Sequence, residues 1–191
     1  MSVSWIYEEI GVETGLIYGA YHYTDVLGAK LGHVPILIPL AWFMMIYPSY
    51  VIANHITSNK KYSTISQLVL VSLLSAGIMT AWDFVVDPFL SGPTQKAWVW
   101  ENGGLYFGVP LQNFAGWMAT TFTVYLLYRL FECRFQLYSK IPTSIGLLPV
   151  MAYGFMMMAN IIPGEPPQLQ FIGPSIMGIP IMIALVQNYR S

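Results

Sequence analysis

Asp83 and Asp87 stand four residues apart in the stretch 81–88, Ala-Trp-Asp-Phe-Val-Val-Asp-Pro. On an α-helix that spacing puts both carboxyls on one face. They close an uncharged run, 62–82, that is long enough to cross a bilayer. Charge at the end of an apolar span is costly and is by default a functional hypothesis. Like charges resist joint ionisation, so one member of the pair can keep its proton near neutral pH. The chemistry on offer is a proton donor beside a lipid-soluble substrate. The plainer alternative is a pair that caps the next element or stays solvated at the interface.

Composition sets the class of element that positions these acids. Of 191 residues, 55% are hydrophobic and only 9% charged, against about 25% charged in ordinary soluble domains. The 16 Gly and 13 Pro suit membrane helices, where both are more frequent. We therefore expect an all-α, polytopic membrane helix bundle forming one integral domain over residues 1–191. A net charge of −1 gives no footprint for nucleic acid. The single cysteine, Cys133, excludes an intrachain disulfide and a multi-cysteine metal site. Residues 1–10 carry acids rather than an apolar core, so no signal peptide is expected.

About five spans are expected, over 34–55, 64–86, 110–130, 142–162 and 171–187. The first contains Pro35, Pro39 and Pro48; Pro35 suits a first turn, and the other two predict kinks. The second ends at Pro88. The third opens at Pro110, at a first helical position, with Gln112 and Asn113 on the same membrane face as the aspartates. The fifth, interrupted by Pro174 and Pro180, has the weakest apolar length. Before the spans, 1–11 reads as a short amphipathic piece with Glu8 and Glu9. Residues 12–33, rich in Gly, Tyr and charge, read as an ordered irregular loop that caps a site.

Alternating the spans puts Lys60, Lys61, Arg129, Arg134, Lys140 and Arg190 on one side and Lys30 and Lys96 on the other. By the positive-inside rule the first side, with the C-terminus, is cytoplasmic. Every acid but Glu132 falls opposite. That segregation fits an acidic site in the outer half of the membrane, or simply acidic outer loops.

Three blocks carry a resemblance: 11–50 (GVETGLIYGAYHYTDVLGAKLGHVPILIPLAWFMMIYPSY), 80–88 (TAWDFVVDP) and 103–117 (GGLYFGVPLQNFAGW). Their order and spacing resemble the membrane carotenoid biosynthesis family, which includes archaeal bisanhydrobacterioruberin hydratases and bacterial carotenoid 1′,2′-hydratases. The resemblance covers roughly residues 8–186. Family members usually have one or two further spans before the Glu8-Glu9 region. The implied reaction is addition of water to the terminal C1′,2′ double bond of an acyclic or monocyclic carotenoid, giving a tertiary alcohol. The implied setting is a prokaryotic cell membrane, with membrane lipid around the chain and room for association with other carotenoid biosynthesis enzymes. No nucleotide, redox cofactor or metal is required.

Such a hydration needs an acid for the less substituted alkene carbon, a surface that stabilises the tertiary cation, and controlled water. Asp83 or Asp87 is the expected acid, with Glu101 and His22 as further proton-handling candidates. Trp82, Trp117, Tyr106 and Phe107 are candidates to face the cation, since aromatic faces attract positive charge. Gln112, Asn113 and the Tyr21–Asp25 cluster are candidates to orient water. Ordinary packing, interfacial anchoring and interhelical hydrogen bonding are the competing roles for each. His55 falls on the cytoplasmic side and outside the site.

Other functions compete. Asp83-x-x-x-Asp87 has the carboxylate spacing of a magnesium-dependent intramembrane prenyltransferase, but only Lys30 and Lys96 lie on that side to hold phosphate. A metal-dependent oxidoreductase would have to draw on His22, His33, Asp83 and Glu101. A non-enzymatic carotenoid-binding or transport protein would need the acids only as proton relays.

Overall fold

A computed structural model describes residues 2–57, 64–137 and 143–190. Lys60, Lys61 and Lys140, half of the bases behind the expected orientation, lie outside the described residues. The chain runs α1 (Ser2–Thr14), β1 (Tyr21–Tyr23), β2 (Lys30–Leu31), β3 (Val34–Pro35), α2 (Leu37–Ile56), α3 (Ile65–Leu90), β4 (Trp98–Trp100), α4 (Leu111–Phe135), α5 (Thr143–Ile161), α6 (Leu169–Ile176) and α7 (Gly178–Arg190). This is a membrane helical bundle with a small β-containing cap. Among the described residues three stretches are long and apolar enough to cross a membrane: Leu37–Ile56, Ile65–Leu90 and Leu169–Gln187.

The helices differ from the expected spans where proline or polar residues intervene. Pro35 lies in β3, and α2 starts after it, so Pro39 sits in the first turn, where its missing N–H has no intrahelical partner to lose. The fifth expected span, 171–187, taken as the weakest, falls within Leu169–Gln187, which is as apolar as α3. Its break falls at Met177, and Pro180 occupies the first turn of α7. The third expected span is the 25-residue α4, which is not among the three apolar candidates because it buries a polar face: Asn113, Thr120, Thr121, Arg129 and Glu132.

α3 is capped by Thr64, whose hydroxyl accepts the Gln67 N–H at 3.2 Å. At its other end the helix does not stop at Pro88 but continues to Leu90. Proline cannot donate to the carbonyl four residues back. That carbonyl belongs to Phe84, and the Tyr106 hydroxyl donates to it at 2.9 Å. An external donor thus replaces the missing helical bond, and Asp83 and Asp87 lie on a continuous helix.

Arg129, counted among the cytoplasmic-side bases, is fully buried in the bundle. Its guanidinium donates to Asn54 Oδ1 at 2.9 Å and Ser75 Oγ at 2.8 Å, and lies 4.4 Å from the centre of the Tyr50 ring. It clamps α2, α3 and α4 at the end away from the aspartates. It therefore carries less topological weight than a loop base.

The cap rests on α4 by close approach. A Cβ at Gly116 would fall 2.5 Å from the Ile17 carbonyl oxygen and 2.6 Å from Tyr18 Cδ1, and one at Gly11 2.6 Å from Tyr18 Cδ2. Only glycine on both α1 and α4 admits the Tyr18 ring between them. The Tyr18 hydroxyl pairs with Thr120 Oγ1 at 2.8 Å.

Candidate active site

The expected irregular loop contains strand β1, which pairs antiparallel with β4. The register is Tyr21 with Trp100, His22 with Val99 and Tyr23 with Trp98. Alternation sends Tyr21, Tyr23, Trp98 and Trp100 to one face and His22 and Val99 to the other. The first face covers a chamber of about 400 Å³ between the cap, α2, α3 and α4. Its wall is overwhelmingly aromatic and aliphatic. Glu8, Asp87 and Asn113 bring the amide and carboxyl groups.

Asp83 and Asp87 are both buried. Asn113 Nδ2 donates to Asp83 Oδ2 at 2.8 Å and to Asp87 Oδ2 at 2.7 Å. One amide group spends both hydrogens on the pair, and its own oxygen remains an acceptor. Asp87 Oδ1 accepts the indole N–H of Trp98 at 2.9 Å and of Trp100 at 3.1 Å. Asp87 thus takes three donors and faces the chamber. Asp83 takes one and sits behind it. Asp83 Oδ1 and Trp82 Nε1 have no hydrogen-bond partner among the described residues.

Glu8 is the chamber residue that the sequence reading left in an amphipathic helix. Its Oε2 accepts Tyr21 at 2.5 Å and Tyr23 at 2.8 Å, and its Oε1 accepts Trp42 Nε1 at 3.0 Å. Burial raises its pKa, and the three donors only partly oppose that. Burial and the neighbouring Glu8 push the Tyr21 and Tyr23 hydroxyls well above their usual range. They stay neutral donors. The available signal was a Glu in a short helix next to a Tyr-x-Tyr strand, which says nothing until the strand is seen to fold back over α1.

Trp42 stacks on Trp117 with ring centres 4.2 Å apart, and Trp82 meets Trp117 edge-on at 5.9 Å. All three rings line the chamber. The structure therefore brings together Asp83, Asp87, Asn113, Tyr21, Trp82 and Trp117.

It places the other candidates elsewhere. His22 and Glu101 pair with each other at 2.5 Å on the outer side of the ribbon, each about half exposed. Asp25 is exposed and lies 3.5 Å from Lys30 Nζ. Gln112 donates to the carbonyls of Gly15 and Leu16 at 3.2 and 2.7 Å and anchors the cap to α4. Tyr106 and Phe107 cluster with one another, and Tyr106 also packs on Phe84 and Phe114. Burial pushes the Tyr106 hydroxyl up to about 12. His33 pairs with Glu9 at 2.7 Å, so the four residues considered for an oxidoreductase metal do not converge. Among the described residues no group of three or more His, Cys, Asp or Glu is arranged to hold a metal ion.

Comparison with known proteins adds two findings. A family model described as carotenoid biosynthesis protein matches residues 1–185. A bisanhydrobacterioruberin hydratase of Haloarcula japonica is 32% identical over 142 residues, which are 68% of this chain and 46% of that protein. The chain thus spans about half the length of this curated relative. No solved structure matches it.

Proposed function

The chain belongs to the carotenoid biosynthesis protein family, and from that premise we propose that it is a carotenoid hydratase, a hydro-lyase of the cell membrane. The name of the Haloarcula japonica relative supports the reaction. The observation that carries it to this chain is Asp87, a carboxyl on the wall of an apolar chamber with a second aspartate behind it. The substrate is the terminal isopropylidene group of an acyclic or monocyclic carotenoid. The chain is multi-pass, with its C-terminus on the cytoplasmic side.

The Asp83–Asp87 pair gives one proton to the less substituted alkene carbon, and the π bond supplies the electrons of the new C–H bond. The tertiary carbon is left as a cation, facing the indoles of Trp42, Trp82 and Trp117. Water attacks that carbon and forms the C–O bond. The proton it releases returns to the carboxylate pair, so no proton, electron or cofactor is consumed. Asn113 Oδ1, the amide oxygen left free to accept, orients the water. Glu8 presents a further carboxyl to the cation.

A magnesium-diphosphate reading draws less from the site. Three of the four aspartate oxygens already accept N–H donors, and among the described residues no Lys or Arg lines the chamber.

The test is product mass in cells accumulating lycopene, γ-carotene or bisanhydrobacterioruberin. The chain adds one water per hydrated end. Asp87→Asn lowers that product by about 10²–10⁴-fold, the contribution of a general acid, and Asp83→Asn lowers it as well. Hydration that persists in both variants at equal protein level overturns the assignment.

A further inference from the structure

We propose that the chamber opens sideways into the bilayer through the α2 face made by Leu37, Leu40, Ala41 and Met44, and that it takes one end of the polyene at a time. The identity of the occupant rests on the hydratase reading; the opening rests on geometry.

The four residues follow i, i+3, i+4, i+7 spacing and so form one stripe of α2. All four line the chamber. Yet Leu37, Leu40 and Met44 are 53%, 48% and 44% exposed, so the same side chains also face outward. Ile38 and Trp42, on the adjoining face, form the inner wall. Helix α2 is one of the three stretches apolar enough to cross a membrane, and its outward apolar face meets lipid. The stripe is therefore the rim of an opening between chamber and hydrocarbon. Leu27 of the cap and Leu90 of α3 add to the apolar lining.

Size decides how much substrate enters. A volume of about 400 Å³ lies near the lower end of pockets that enclose a drug-sized ligand, about 300–1,000 Å³. A whole carotenoid is a rigid rod much longer than such a ligand. The chamber accepts the terminal isoprenoid segment, and the remaining polyene stays in the bilayer through the α2 opening. A carotenoid with two identical ends must leave and return for its second hydration, so the mono-hydrated product is released between turnovers.

Two measurements separate this proposal from the reaction itself. The first is binding in detergent, read by quenching of the chamber tryptophans. The probes are lycopene and a lycopene analogue with both terminal double bonds saturated, which has nothing to hydrate. Ala41→Phe and Met44→Phe narrow the opening and weaken binding of both polyenes by roughly tenfold or more, the scale on which an apolar pocket registers bulk. Phe43→Ala, on the lipid side and outside the chamber lining, leaves binding unchanged. Unaltered binding in folded Ala41→Phe and Met44→Phe overturns the opening. Should either bulky variant fail to fold, Leu40→Ala widens the rim and accelerates binding of the analogue; an unchanged rate overturns the opening equally.

The second measurement is a time course with lycopene in excess. Mono-hydrated product appears first and the di-hydrated product follows with a lag. Di-hydrated product from the earliest points, without free mono-hydrated carotenoid, overturns one-end-at-a-time action. Tight binding of lycopene with no water added overturns the hydratase reading and leaves the opening in place.

Discussion

Tyr106 donates its hydroxyl to the carbonyl of Phe84, the bond that Pro88 cannot make. A single loop residue thus lets α3 continue through the aspartate pair and past a proline. Tyr106→Phe leaves that carbonyl without its donor and costs about 1–3 kcal/mol. The expected outcome is a lower unfolding temperature in detergent with the same hydrated product. A changed product with unaltered stability would return Tyr106 to the chemistry.

Asn113 holds two acids with one amide. Asn113→Leu keeps much of the volume and removes the bridge, and two adjacent carboxyls then lose their shared donor. Product formation is expected to fall by at least the lower part of the range for a general acid, about 10²-fold. Asn113→Gln, with a longer arm, restores only part of it. Product mass at matched protein levels checks both.

Glu8 gives a pH signature with a definite sign. Its folded pKa is raised by burial. Stability from its protonated form is therefore complete below the ordinary glutamate range and is lost as pH rises through the raised folded value. Unfolding temperature against pH should decline across that window in the native chain and flatten in Glu8→Gln. A decline that survives in Glu8→Gln assigns the slope to other groups.

Gly116→Ala is expected to destabilise by about 1–3 kcal/mol, as overpacking does in a close contact. The added methyl meets the Ile17 carbonyl and the Tyr18 ring. The site should suffer with the fold, because Tyr18 lines the chamber. Unfolding temperature and product yield are expected to fall together.

The His22–Glu101 pair lies on the outer side of the ribbon, and exposed pairs contribute about 1 kcal/mol or less. His22→Ala and Glu101→Ala should therefore leave product formation unchanged. Loss of product in either, with the ribbon intact, would draw the outer face into the mechanism.

The helices were legible because apolar length and proline are local signals. The ends were not, because whether proline stops a helix depends on a distant donor such as Tyr106. The convergence of Asp83, Asp87 and Asn113 was legible from spacing and shared membrane face. Trp82 and Trp117 followed from adjacency to them. Glu8 was hidden because its partners Tyr21, Tyr23 and Trp42 are distant in sequence and meet only through the fold of the cap. His22 and Glu101 fall away from the chamber because alternation turns their face of the ribbon outward, where they pair with each other. Arg129 counted as a cytoplasmic-side charge because its burial with Asn54 and Ser75 is a tertiary fact.

The β1–β4 pairing carries a consequence for change in this chain. One strand delivers two hydroxyls to Glu8 and the other delivers two indoles to Asp87, and both deliveries depend on the parity of the strands. Inserting a single residue before Trp98 would turn both indoles outward and bring Val99 in, whereas two residues would restore the facing but shift its position. The acid site therefore tolerates drift in steps rather than by degrees. An alignment gap of odd length in this ribbon would mark a chain that has given up this arrangement of acids, whatever its helices retain.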